Sequence, residues 1–359
     1  MCASHRYYCS PLLNQLKVKI KGRQSSTRLL LTASYRITSI LRERAKSIFM
    51  ARHLITAFII VFLSALLSSC DKAGKYQIDL NDTANFGFTK SEIVNLGRLI
   101  LIDYALFEVE PSKTNPSFPT ASSFPREADL FKQFAPIANL QGKDKAGSQR
   151  QEFYGHIWRS NDSSSTLVIS IRGTSGAQEW IDDVKFELVP FSDKATHGQV
   201  ELGFKEIFNS FTLASPDSAS VISLNDYLES LHDIETLIVV GHSLGSSLAT
   251  LTAYSATQLV ASTLVKSLTF ASPLTGDSAF ANAYRSNIVN GIRIVNQPDI
   301  VPRLPLPEMG YQHVWHEVEV SSLEQAETVN SVACYHSLNT YLHLLDSRVD
   351  LEPSCRSGK

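Results

Sequence analysis

This sequence is short of cysteine, of long apolar runs and, beyond its first fifty residues, of positive charge. Five cysteines among 359 residues are too few for a disulfide scaffold to replace a hydrophobic core. The apolar stretch from Leu54 to Leu67 is fourteen residues long, whereas a helix crossing a bilayer needs about 20. Ten of the 33 Lys and Arg residues precede Met50, against Glu43 alone among the 35 acidic ones. The remainder is therefore acidic and offers no electrostatic footprint for nucleic acid. What the chain does have is 43% hydrophobic residues, enough for a full-sized core in one large domain or two small ones and unlike a disordered chain. It contains no internal repeat.

The basic head and the short apolar run belong together. Arg52 and His53 precede the run, and small residues follow it, the layout of a secretory signal. Its end, Leu67-Ser68-Ser69-Cys70, resembles the lipobox of bacterial lipoproteins, in which the chain is cut before a cysteine carrying a diacylglyceryl group. The resemblance implies a signal peptide over 50–69, a lipid anchor at Cys70 that holds the protein to a membrane of the cell envelope, and a tether over 70–88. Residues 1–49 are then either a genuine basic extension or a misassigned start. An uncleaved anchor helix with Cys70 as a plain buried thiol is the alternative. Cys334 and Cys355 are left as a pair that an oxidising compartment can join or leave as free thiols, since sequence alone does not fix their separation.

Thr89-Lys90-Ser91-Glu92 has the form of a capping box, and Ile93, Leu96, Leu99, Ile100 and Ala105 then place a helix to about Phe107. Residues 110–150, rich in Pro, Ser and Lys, read as a surface excursion. Glu152–Arg159 and Thr166–Ile171 read as a hairpin. Short apolar strands at Leu237–Val240, Ser267–Ala271 and Gly291–Asn296 then alternate with helical stretches at about 217–232, 245–261, 278–287 and 333–346. Such alternation implies an α/β fold, mostly parallel, with helices on both faces of one sheet, in one domain over 89–350 with a tail at 351–359.

Strand Leu237–Val240 runs straight into Gly241-His242-Ser243-Leu244-Gly245, with a helical segment at once behind it. That is the strand, tight turn and helix of a GxSxG nucleophile elbow in an α/β-hydrolase fold. Ser243 is the candidate nucleophile and requires a neighbouring base. His242 points elsewhere at such a turn and reads as a packing residue. The order nucleophile, acid, histidine leaves Asp277 and Asp299 as acids, each in a loop after a strand. Among His313, His316, His336 and His343, position near the end of the domain favours His336; His343 reads as surface, His313 and His316 as packing or solvent-facing.

Four blocks in order, Ile171-Arg172-Gly173-Thr174 with Trp180-Ile181-Asp182-Asp183-Val184, then Gly241–Gly245, then Asn296–Arg303, then His336–Tyr341, resemble the class 3 lipases, of which fungal triacylglycerol lipases are the best known. The resemblance implies Ser243, Asp299 and His336 as triad, with Asp277 left as a turn or helix cap. It further implies Thr174 and the backbone N–H of Leu244 as oxyanion donors, and a short helical lid carrying Trp180, Ile181 and Val184. The chain departs from the family at Glu201-Leu202-Gly203-Phe204, where a histidine is usual at the first position, and at Ser246-Ser247, where Gly-Ala is usual. The function implied is hydrolysis of carboxylic esters of lipids without metal or organic cofactor. A phospholipase A, a short-chain esterase, an acyltransferase and a catalytically silent adaptor are the rivals, and oligomeric state is not encoded in any motif.

Overall fold

The computed structural model describes residues 86–144, 150–174, 186–260, 262–314, 316–323 and 325–358. The expected signal peptide, Cys70 and the lid residues Trp180, Ile181 and Val184 lie outside them. The strands are β1 Phe134–Lys143, β2 Gln151–Ser160, β3 Thr166–Ile171, β4 Leu188–Pro190, β5 Gln199–Glu201, β6 Thr212–Ala214, β7 Val221–Ser223, β8 Thr236–His242, β9 Leu264–Phe270, β10 Gly276–Asp277, β11 Asn290–Asn296, β12 Tyr311–Gln312 and β13 Glu317–Val320. The α-helices are α1 Lys90–Val109, α2 Leu130–Gln133, α3 Leu202–Asn209, α4 Leu224–Glu229, α5 Leu244–Leu259, α6 Ser278–Asn287, α7 Val332–His336 and α8 Leu338–Leu345.

Among the described residues, nine strands form the main sheet in the order β13-β11-β9-β8-β3-β2-β1-β6-β7, and β12-β10-β5-β4 form a small second one. From β13 through β3 the pairs are parallel; from β3 outward through β2, β1, β6 and β7 they are antiparallel. This is the arrangement expected of an α/β-hydrolase sheet, parallel from β13 to β3, with an antiparallel half from β2 to β7.

Alternation of side chains along a strand divides each apolar run between two cores. Leu167, Ile169 and Ile171 of β3 and Leu237 and Val239 of β8 face α3, α4, α5 and α6. Val168, Ile238 and Val240 face α1 and α8 on the other side. The sheet is thus buried on both faces, as the uninterrupted apolar runs require.

Helix α1 begins at the expected capping box: Glu92 N–H donates to the Thr89 hydroxyl and Thr89 N–H to the Glu92 carboxylate. The body starts before it, because Phe88 is buried and stacks under the Lys266 ammonium at 4.1 Å, and Lys266 also donates to the Gly87 carbonyl. The tether reading therefore stops short of 86–88.

Three expectations need correction. Residues 110–150 are not a plain surface excursion, since β1 lies inside the sheet between β2 and β6. Helix 217–232 shrinks to Leu224–Glu229 behind the short strand β7. The single helix over 333–346 is two, broken at Ser337 with ψ 129°. Leu140 on β1 is fully buried. Leu140→Ala is expected to cost about 2–5 kcal/mol in urea unfolding, where a residue on a surface loop would change stability by about 0.5 kcal/mol or less.

Candidate active site

The nucleophile sits where β8 meets α5. Ser243 has φ 58° and ψ −128°, a left-handed backbone that only a tight surrounding structure holds in a non-glycine residue. That surrounding is backbone. A Cβ on Gly241 would lie 2.2 Å from the Gly245 carbonyl oxygen, and one on Gly245 would lie 2.4 Å from the carbonyl oxygen of Ile171. Ser246, in place of the family's usual glycine, fits because its hydroxyl reaches the Gly241 and Phe270 carbonyls at 2.8 and 2.7 Å.

The triad expected from the sequence is assembled. The Ser243 hydroxyl lies 2.8 Å from His336 Nε2, and His336 Nδ1 lies 2.8 Å from Asp299 Oδ2. With Nδ1–H donating to the carboxylate, Nε2 is left as the base facing the serine. All three side chains are buried. Asp299 also accepts from the Tyr341 hydroxyl at 2.8 Å and, through Oδ1, from Val301 N–H at 3.0 Å. Burial, and then the neighbouring Asp299 charge, push the Tyr341 phenol well above its ordinary value, so it remains a donor.

Asn296, which opens the third block but was given no role there, gathers the surrounding loops. Its amide nitrogen donates to the Tyr335 carbonyl at 2.8 Å and to the Ser322 hydroxyl at 2.9 Å. Its oxygen accepts from Ser322 N–H at 3.0 Å.

Asp277 is elsewhere. Its carboxylate caps α6 through Phe280 N–H at 2.8 Å and accepts from Gln199 N–H at 3.1 Å. His343 contacts the Val349 carbonyl, and His316 lies against the Phe86 ring. His313 is held by the Pro302 carbonyl at 2.6 Å. Glu201 takes the place of the family histidine as a cap, accepting from Phe204 N–H at 2.7 Å.

Thr174 follows β3 and is positioned through its neighbours. Arg172 is buried under the Phe107 ring at 3.5 Å and donates to the carbonyls of Phe153 and Gly173 and to Glu152. Gly173 packs so closely that a Cβ there would lie 2.9 Å from Ser243 Cβ. The Thr174 hydroxyl is buried with no partner among the described residues. Leu244 opens α5, so its N–H is among those without an intrahelical acceptor. The groups expected to face an oxyanion are the Thr174 N–H, helped by the Thr174 hydroxyl, and the Leu244 N–H.

Beside the site, Cys334 and Cys355 form a disulfide with Cα atoms 5.2 Å apart across 21 residues. It closes the second of the two alternatives left open for these thiols. The segment beyond it is tied back by Ser337 to Glu352 at 2.7 Å and by Val329 N–H to the Cys355 carbonyl at 2.9 Å. A groove of about 1080 Å³ between α1 and residues 339–350 contains none of the triad. Its Arg98, Arg126 and Arg348 are already paired with Asp129, Asp350 and Asp346.

Two predictions concern stability. Loss of the bridge in Cys355→Ser is expected to lower the unfolding free energy by about 3 kcal/mol, from the loop it closes, read by urea titration under non-reducing conditions. Burial first, and then Arg293, hold His313 well below the ordinary histidine value. The unfolded chain then takes up a proton below about pH 6.5 that the folded one refuses, so this stability is present above that pH and lost as pH falls. His313→Gln is expected to narrow the difference in urea midpoint between pH 8 and pH 5.5; an unchanged difference would contradict the assignment.

Residues 168–309 match the family model described as Lipase (class 3). The chain is 29% identical over 228 residues to phospholipase A1-IIgamma of Arabidopsis thaliana, covering 55% of this chain and 53% of that protein. It is 32% identical over 202 residues to phospholipase A1-II 4 of Oryza sativa subsp. japonica, covering 49% of each. The chain spans about half the length of the curated relatives it matches. Among solved structures, a deletion mutant of Rhizomucor miehei lipase with its propeptide superposes with a TM-score of 0.51 at 20% identity, over 70% of this chain and 75% of that one. That likeness is one of fold. The matched span holds the end of β3, the elbow and the acid loop, and over it this chain is similar to the class 3 lipases.

Proposed function

We propose that the protein is a serine hydrolase that cleaves carboxylic esters of glycerolipids by acyl transfer. The observation that carries this is the continuous pair of 2.8 Å contacts from Ser243 through His336 to Asp299. His336 Nε2 takes the Ser243 proton as Oγ attacks the ester carbonyl. The oxyanion receives the N–H groups of Thr174 and Leu244. The carbon–oxygen bond to the alcohol breaks, and that alcohol leaves with the proton from His336. Water then attacks the acyl-enzyme, gives its proton to His336 and releases the acid, while Ser243 recovers its own.

Acylglycerols are the substrate this reading favours. A phospholipase A1 is the second reading, supported by the printed names of the curated relatives. Residues 175–184 carry Ala177, Trp180, Ile181 and Val184 at helical spacing opposite Gln178, Glu179, Asp182 and Asp183. Such an amphipathic stretch directly after Thr174 suits a lid whose apolar side covers the site in water and turns to lipid at an interface. The Leu67–Cys70 segment suits a lipid anchor in a bacterial envelope, and mass spectrometry of the mature N-terminus tests it: an unmodified Cys70 rejects the anchor.

With a p-nitrophenyl ester, Ser243→Ala is expected to abolish the burst of nitrophenol, and Asp299→Asn to lower kcat by about 10⁴-fold by loss of the correct histidine tautomer. Equal rates in Ser243→Ala and the parent reject the mechanism. Emulsified triacylglycerol set against phosphatidylcholine vesicles separates the two substrate readings, with faster fatty-acid release from the former expected.

A further inference from the structure

Helix α1 lies against the site without supplying any member of the triad, and one of its side chains reaches into the elbow. The Tyr104 hydroxyl is 2.8 Å from His242 Nδ1 and accepts from Gly173 N–H at 2.8 Å. His242 Nε2 is 2.9 Å from the backbone carbonyl of His336. Gly173 leads to the expected oxyanion residue, and His336 carries the base. Tyr104 and His242 are the two side chains between them.

The directions of these bonds follow from counting protons. Gly173 N–H can only donate, so it occupies a lone pair of the Tyr104 oxygen. The single phenolic proton is then directed at His242 Nδ1, which accepts it. His242 therefore carries its own proton on Nε2, and that proton goes to the His336 carbonyl. The carbonyl is available because α7 ends at His336 and the chain turns extended at Ser337, which leaves the last helical carbonyls without intrahelical donors. Every donor in the row meets an acceptor.

We propose that Tyr104 and His242 are positioning residues of the hydrolytic site, forming a one-directional hydrogen-bonded brace that holds the oxyanion wall at Gly173 and the backbone of the base His336 in register. The brace rests on the hydrolase reading above and extends it to residues that never touch the ester. Asp299 fixes the ring of His336 from one side; His242 fixes its peptide from the other. The site tolerates little slack, since displacement of a reacting group by about 1 Å can cost about 100-fold in rate. The His242 and His336 rings lie 4.9 Å apart between centroids. With Tyr104 O–H donating to Nδ1 and the ring proton on Nε2, His242 stays neutral, and no like charge opposes the imidazolium that His336 forms during turnover. Glycine at 173 is part of the brace, because a Cβ there would stand 2.6 Å from the Tyr104 hydroxyl.

The test joins kinetics to a measurement that does not need turnover. Tyr104→Phe keeps the ring and removes only the hydroxyl; its kcat on a soluble p-nitrophenyl ester is expected to fall about tenfold with KM within twofold. His242→Leu is expected to lose at least as much, and His242→Gln, whose amide can still donate to the His336 carbonyl, to recover most of it. Thermal midpoints of the variants identify any that fail to fold. Parent-like kcat in Tyr104→Phe, or a fall carried by KM, overturns the brace. Independently, ¹⁵N spectra of histidine in the parent protein at pH 7 are expected to show the His242 proton on Nε2. A proton on Nδ1, or a doubly protonated ring, overturns it even if no ester is turned over. A parent that shows the expected tautomer but hydrolyses no ester rejects the hydrolase reading and leaves the hydrogen-bonded row standing.

Discussion

The backbone of Ser243 is the constraint on which the rest depends. A serine in the left-handed region costs of order 1–3 kcal/mol, and it is held there because three stretches of main chain press on the turn at once. Gly241 touches the first turn of α5, Gly245 touches the end of β3, and Gly173 touches Ser243 itself. No side chain at these three positions can relieve the pressure by changing rotamer. The strain is offset by the burial of β3 and β8 between the two cores on either face of the sheet and of α5 in one of them. The nucleophile is thus fixed by backbone packing, and the base and acid are brought to it by loops.

Those loops are organised by polar side chains that each serve two elements. Asn296 joins the end of β11 to the segment after β13 and to the peptide before His336. Arg172 joins β3 to β2 beneath Phe107. Buried polar groups of this kind are costly unless every donor and acceptor is used. The satisfied bonds of Asn296 explain how a short loop with two prolines keeps Asp299 within reach of an imidazole 37 residues away.

Strands β3, β8, β9 and β11 of the parallel half were legible because they are short apolar runs, whereas β13, with Glu317 and Glu319 alternating with valines, was not; α6 was read to its bounds from Ser278 to Asn287. Strand β1 was not, since Pro136, Asn139, Gln141 and Gly142 break the alternation. Asn139 reads as a loop residue until its amide is seen bonded to Asn115 and to the Pro116 carbonyl. The elbow and the histidine followed from motif and chain order. Asp299 and Asp277 looked alike as residues and were separated only by family resemblance; the structure assigns the second to capping. Tyr104 carried no signal, because it lies 138 residues from His242 and periodicity says only that it sits on a helix. The break at Ser337 was hidden as well: Leu338, Leu342 and Leu345 sustain the helical pattern, and nothing local marks the turn that frees the His336 carbonyl.

The bond between Cys334 and Cys355 restrains the base and not the nucleophile. One sulfur sits two residues before the base and the other nineteen after it, so the short helix bearing the imidazole is fastened to a stretch of chain synthesised later. A reductant that opens this ring frees the helix bearing the base from one of its restraints, while the elbow, which backbone packing fixes, keeps its place.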